Sequence, residues 1–172
     1  VLIADHGEAL GEHEVWFNHG DDVYESSVHV PFALRWPGRV SVGKEILSPF
    51  EGNDLAPTVL DLVGILPPSS MTGISAAPLI EGEEGKPRVI AYSMCFDRQA
   101  NQSERQAGRI QAPKYRMVGL RGINSRYTQR ELDGSASYFD LNTDPLGVMD
   151  VWPALHAKSE GQQLLDLLPF SD

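Results

Sequence analysis

Apolar residues fall in short runs between polar, glycine-rich stretches, and the spacing changes character about halfway along the chain. The opening run Val1-Leu2-Ile3-Ala4 predicts a buried strand over 1–4. Residues 7–22 are rich in Gly, Glu, His and Asp, show no sustained period, and predict a loop with room for one helical turn. Tyr24 to Ser27 can start a short helix. Val30-Pro31-Phe32-Ala33-Leu34-Arg35-Trp36 predicts a second buried strand, ended by Pro37-Gly38. Pro31 fits its first positions, where no ladder N–H is needed.

The clearest helical signal covers 54–64. Leu55, Val59, Leu62 and Val63 form a stripe at helical spacing, and Asp54 is a suitable N-cap. Pro57 falls in the first turn, where proline is tolerated, and Gly64 followed by Pro67-Pro68 ends the helix. A second short helix fits Ala76 to Ile80.

Past Gly85 the apolar runs read as strands: Arg88 to Met94, Lys114 to Leu120, a return strand Ser125 to Glu131 after the turn Gly122-Ile123-Asn124, and Tyr138 to Leu141. Residues 97–112 are polar and Gln-rich and predict a surface loop. The tail from Ala154 to Leu168 is amphipathic, with Leu155, Leu164, Leu165 and Leu168 on one side. The chain therefore divides into two parts at the linker Glu81-Gly82-Glu83-Glu84-Gly85. Residues 1–84 read as the tail of an α/β domain. Residues 85–172 read as a small α+β subdomain, with an antiparallel sheet and a C-terminal helix.

Composition narrows the classes of function. The net charge of −10 argues against nucleic acid or an anionic membrane as a partner through bulk attraction. No apolar run approaches the length of a membrane span. One cysteine, Cys95, excludes an internal disulfide framework and leaves the compartment open. The chain opens inside what reads as a core strand, which suggests a portion of something longer.

The chemistry sits at the start, where four of the five histidines (His6, His13, His19 and His29) fall. Asp5 and His6 follow the first apolar run directly, and the carboxyl end of a strand is where open α/β sheets keep ligands. Carboxylate and imidazole are metal-ligand groups, and Gly7 lets the backbone turn close to an ion. The plain alternative is that Asp5 caps a following helix and His6 is a hydrogen-bonded surface histidine.

The wider pattern is more specific. Asp5-His6-Gly7-Glu8, Leu10-Gly11-Glu12-His13, Trp16-Phe17-Asn18-His19-Gly20, Val23-Tyr24-Glu25 and the run from Val30 to Gly38 together resemble the sulfatase family. That family lies within the alkaline phosphatase-like superfamily of metal-dependent sulfate and phosphate ester hydrolases. The resemblance continues through Asp54 to Ile65, weakens after Pro78, and returns at Lys114-Tyr115-Arg116 and Tyr138-Phe139-Asp140-Leu141 with Asp144-Pro145.

The resemblance implies an alkaline phosphatase-like α/β/α domain, of which this chain holds the tail. It implies Asp5 and His6 as ligands of a divalent cation, usually Ca2+, and His19 as the basic residue on the sulfate. Glu12 and His13 belong to the motif as supporting residues around the site; Glu8 reads as structural or solvated, and His29, Tyr24 and Glu25 as packing residues. It also implies a formylglycine nucleophile made within a Cys/Ser-x-Pro-x-Arg motif, and this sequence contains no such motif. Cys95-Phe96-Asp97-Arg98 lacks the proline and the spacing, so Cys95 reads as a small buried apolar residue. Leu146-Gly147 also replaces the acidic residue usual after Asp-Pro.

The expected whole is a sulfatase acting on a sulfated small molecule or glycan, completed by an N-terminal part of the same protein, with this chain inactive alone. A phosphonate or phosphate ester hydrolase, or a phosphoethanolamine-type transferase, is the enzymatic alternative, with Mn2+ or Zn2+ suited to His6. A non-catalytic truncated paralogue acting as a binding module is the other. A periplasmic, secreted or lysosomal location is a tendency of the family alone.

Overall fold

The computed structural model describes residues 1–96 and 115–154, together with Ser159 and Gln163. Its centre is a four-stranded antiparallel meander, β5 (Ala91–Phe96), β6 (Tyr115–Arg121), β7 (Ser125–Arg130) and β8 (Ala136–Asp140), in that spatial order. Each strand lies within a few residues of its expectation from the sequence. The strand expected at 88–94 starts later because Arg88 turns inward to ion-pair with Asp54 instead of extending the ladder.

Alternation along these strands builds two cores, because successive side chains take opposite faces. Cys95, Met117 and Phe139 pack on one face with Leu141, and Val23 and Tyr24 from the first part of the chain close over them. Leu120, Tyr127 and Tyr138 pack on the other, against Ile90, Tyr92, Val151 and Trp152. Cys95 is thus the buried apolar residue expected of it, and burial pushes its thiol pKa up.

A third cluster joins α2 (Leu55–Leu62) to α3 (Ala77–Glu81) through Leu62, Ala77 and Ile80, flanked by Leu34 and Trp36. The expected stripe is present, but Val63 at its end is exposed. Gly64 closes α2 at φ +77°, as a left-handed terminator. Asp54 precedes the helix with no side-chain cap bond to it. Its carboxylate is used elsewhere, by Arg88, the Ile74 N–H and the Glu51 N–H.

The first forty residues differ most from the sequence reading. β1 (Leu2–Ile3) pairs antiparallel with β4 (Phe32–Ala33), so both expected strands exist in shortened form. Neither is buried as expected: Leu2 is 64% exposed, while Phe32, stacked on Phe50 at 4.7 Å, is half-buried. Within the stretch read as a loop, β2 (Ala9–Leu10) and β3 (Trp16–Asn18) form a hairpin around a turn of 3-10 helix at Glu12–Glu14. His13, Glu14 and Phe17 hold positive φ in this hairpin, which erases the period-2 pattern that would have announced it. α1 (Glu25–Val28) follows, as the short helix expected there.

No described helix is long and apolar enough to cross a membrane. The loop expected at 97–112 and nearly all of the expected C-terminal helix lie outside the described residues.

Candidate functional site

The β2–β3 register assembles the site. Ala9 pairs with Asn18, which sets the flanking Glu8 and His19 opposite each other. The His19 Nδ1–H donates to Glu8 Oε2 at 2.9 Å. Preceding Glu8, the chain brings the His6 ring flat against His19, with centroids 3.8 Å apart and planes 16° from parallel. His6 Nδ1–H donates to the Gly7 carbonyl at 2.8 Å. Among the described residues, His6, Glu8 and His19 form a group whose coordinating atoms lie within 4.8 Å of one another.

Both Nδ1 atoms are thus committed as donors to oxygen acceptors. In the neutral ring this leaves the lone pair on Nε2, the arrangement of metal-ligating histidines. Two imidazoles and a carboxylate are a donor set for a borderline divalent cation, and carboxylates also suit a hard one. The donor chemistry therefore fits a bound divalent metal.

Asp5 stands beside this group, its side chain 91% exposed. Its Oδ1 accepts the His6 backbone N–H at 3.0 Å, and its Oδ2 lies 3.8 Å from His6 Nε2. Of the residues singled out in the sequence, His6 and His19 come together and Asp5 adjoins His6. Glu8 was given no role there. Its signal was the hairpin register, which a loop reading of 7–22 hides.

Glu12 and His13 make their contacts with other residues. The Glu12 carboxylate accepts the Leu10 N–H at 2.7 Å, which stiffens the hairpin and, as the largest cause, lowers its pKa. His13 stacks on Tyr24 at 3.6 Å and meets Phe139 edge-on at 5.4 Å. Burial pushes the His13 pKa down against the smaller raising pull of the Gly147 carbonyl and nearby carboxylates. His13 therefore ties the hairpin to the four-stranded sheet.

The other support comes from α1. The Gly7 N–H donates to the Ser27 carbonyl at 2.9 Å. A Cβ on Gly7 would stand 2.0 Å from the Ser26 carbonyl oxygen, so only glycine permits this approach. At the head of α1, Glu25 is 4% exposed and holds two arginines and a histidine as partners. Arg126 Nη1 donates to its Oε1 at 2.8 Å, Arg121 Nε lies 3.3 Å from Oε1, and His29 Nδ1 lies 3.2 Å from Oε2. Burial alone would raise the Glu25 pKa, but the hydrogen bond from His29 and the charges of Arg126 and Arg121 outweigh it and hold it at about 2.

Comparison with known proteins identifies the family. The family model described as N-sulphoglucosamine sulphohydrolase, C-terminal, matches residues 11–168. The chain is 26% identical to the N-acetylglucosamine-6-O-sulfatase of Bacteroides thetaiotaomicron, over 98% of this chain and 29% of that protein. It is 39% identical to an arylsulfatase of Clostridium perfringens, over 84% of this chain and 27% of that protein. It thus spans less than a third of either relative.

Two solved structures share the fold. A protein in complex with its substrate D-glucosamine-2-N,6-O-disulfate superposes with a TM-score of 0.72 at 24% identity, over 96% of this chain and 32% of that one. The phosphonate monoester hydrolase of Agrobacterium radiobacter gives 0.72 at 22%, over 95% and 32%. With its antiparallel meander, its Asp-His-Gly-Glu turn and a family match over nearly its whole length, the chain belongs to the sulfatase family, as a carboxyl-terminal portion.

Proposed function

We propose that the protein containing this chain hydrolyses sulfate monoesters, with a sulfated sugar as the preferred class of substrate. This chain contributes Asp5 and His6 to a cation site and His19 to the sulfate. The observation that carries the reading is the pairing of His6 and His19 with both Nδ1 atoms engaged by oxygen acceptors. The sugar class is supported by the names of the N-acetylglucosamine-6-O-sulfatase relative and the disulfated glucosamine complex.

Asp5, His6 and, through the same cluster, Glu8 would hold the cation, Ca2+ under the sulfatase reading. When bound, the cation supplies Lewis-acid polarisation of an ester oxygen. With its Nδ1–H held by Glu8, His19 would donate to the ester oxygens from Nε2 only as the doubly protonated imidazolium, and that donated hydrogen bond would stabilise developing charge. Glu8 orients the His19 ring by holding its opposite nitrogen. The chain has no Cys/Ser-x-Pro-x-Arg sequence, so the nucleophile is not among these residues and the chain by itself is inactive.

Phosphonate or phosphate ester hydrolysis is the second reading. The observation that favours it is the two-imidazole donor set, which suits Mn2+ or Zn2+ better than Ca2+. The test is to purify the full-length protein and measure release of inorganic sulfate from N-acetylglucosamine 6-sulfate and from an aryl sulfate, against cleavage of an aryl phosphonate monoester. Sulfate release that is lost in EDTA and falls at least ~100-fold in His19→Ala supports the first reading. Phosphonate cleavage without sulfate release replaces it with the second, and no cleavage of either leaves a binding module.

A further inference from the structure

The imidazole pair sits in the first twenty residues, yet what fixes the ground beneath it comes from strands more than ninety residues later. Gly7 rests on the Ser26–Ser27 backbone of α1. That helix has only four residues and no side-chain N-cap, too little to hold its own shape. Its fixed point is Glu25, which enters the face of the sheet and meets Arg126, itself only 1% exposed, and Arg121.

The sheet is shaped to receive this contact. Gly119 on β6 leaves a lane without a side chain: a Cβ there would lie 2.9 Å from Arg126 Nη2, from Ser93 Oγ and from Val23 Cγ2 alike. Arg126 Nη2 also donates to Ser93 Oγ at 3.3 Å along that lane. A buried ion pair is a weak way to gain stability, since apolar replacements of similar volume are often neutral. It is a strong way to fix one geometry, because a guanidinium accepts a carboxylate from few directions.

We propose that Arg126 and Arg121 are positioning residues for the His6–Glu8–His19 cluster, acting through Glu25, the backbone of α1 and Gly7. The inference rests on the reading of that cluster as a metal and ester site, and concerns how the site is kept in shape. Glu25 is the relay: its carboxylate faces the sheet, and the backbone that follows it carries the Gly7 contact.

The experiment uses the full-length protein with Mn2+ as probe, its binding followed by electron paramagnetic resonance, beside thermal melts of the same samples. Arg126→Met keeps the volume and removes the charge; Arg126→Lys restores a charge; Glu25→Gln keeps the shape of the relay. Support is a roughly 10-fold or greater loss of Mn2+ affinity in Arg126→Met and Glu25→Gln, measured at a temperature where the melts show each variant fully folded, with partial recovery in Arg126→Lys. Variants that are fully folded at that temperature and bind Mn2+ as the wild type does overturn the proposal and leave the functional reading intact. If neither Arg126→Met nor Glu25→Gln folds, the pair is a folding determinant and the proposal also falls. A wild-type protein that binds no Mn2+ refutes the site reading itself, and the inference with it.

Discussion

Arg88 grips Asp54 with two parallel bonds, Nη2 to Oδ1 at 2.6 Å and Nε to Oδ2 at 2.7 Å. The same guanidinium reaches Glu51 Oε1 at 2.8 Å, so one cation holds two carboxylates. Both Asp54 oxygens also accept backbone N–H groups, from Ile74 and Glu51. Asp54→Ala therefore strips an ion pair and two backbone acceptors at once, and a loss of about 3–5 kcal/mol is expected. Arg88→Met leaves Asp54 with its backbone donors and should cost less. Urea denaturation of the two variants checks the order, and equal losses would contradict the asymmetry.

Gly7→Ala places a methyl group against the Ser26 carbonyl, and one backbone must retreat. Overpacking of this kind costs about 1–3 kcal/mol. Because His6 and Glu8 flank the position, the variant should lose metal affinity as well as stability. Calorimetric metal titration reads the first effect and a thermal melt the second. A variant with unchanged affinity would detach the Gly7 contact from the site.

Glu8→Ala removes the acceptor from His19 Nδ1 while leaving a half-exposed position with little packing to lose. Activity of the full-length protein should fall about 10–100-fold with the melting temperature nearly unchanged. Full activity in that variant would return Glu8 to the role of a solvated surface residue.

Acid should weaken the fold in two windows. His13 is held neutral by burial, its pKa below 6.5 in the folded chain, so its contribution is complete above 6.5 and fades as pH falls through its lowered value. Glu25 titrates at about 2 instead of 4.5, so the stability tied to its ionised form persists above 4.5 and is lost as pH falls toward 2. Stability measured from pH 7 to pH 3 should show two declines. Tyr24 packs beside His13, so His13→Phe should remove the first decline alone, and Glu25→Gln the second alone.

The parts legible in the sequence are those set by neighbours along the chain. The stripe at Leu55, Val59 and Leu62 with Pro57 and Gly64 located α2, and the alternation of the later strands located the sheet. His6 and His19 were legible as chemistry from their spacing within a family motif, and they do meet. The β2–β3 hairpin was not legible, because left-handed backbone at His13, Glu14 and Phe17 breaks the alternation that marks a strand. With the hairpin hidden, so was Glu8. The burial of strand 1–4 was overestimated because an apolar run records what a segment would bury, and the layer that would cover it is not among the described residues. Arg126 gave no local signal, since its meaning lies with Glu25, a partner 101 positions earlier.

That separation has a kinetic meaning. Glu8 and His19 are 11 positions apart, a span that a hairpin closes in about 1–10 μs. The contact between Glu25 and Arg126 must wait until the meander has formed, and long-range pairing of this kind is slow because a large loop has to be closed first. The local hairpin contact is therefore expected to form first, and the Glu25–Arg126 contact only once the third strand of the meander, β7, is in place. If Arg126 positions the imidazole pair as proposed, a newly made chain would bring the two rings together before it holds them in a fixed shape.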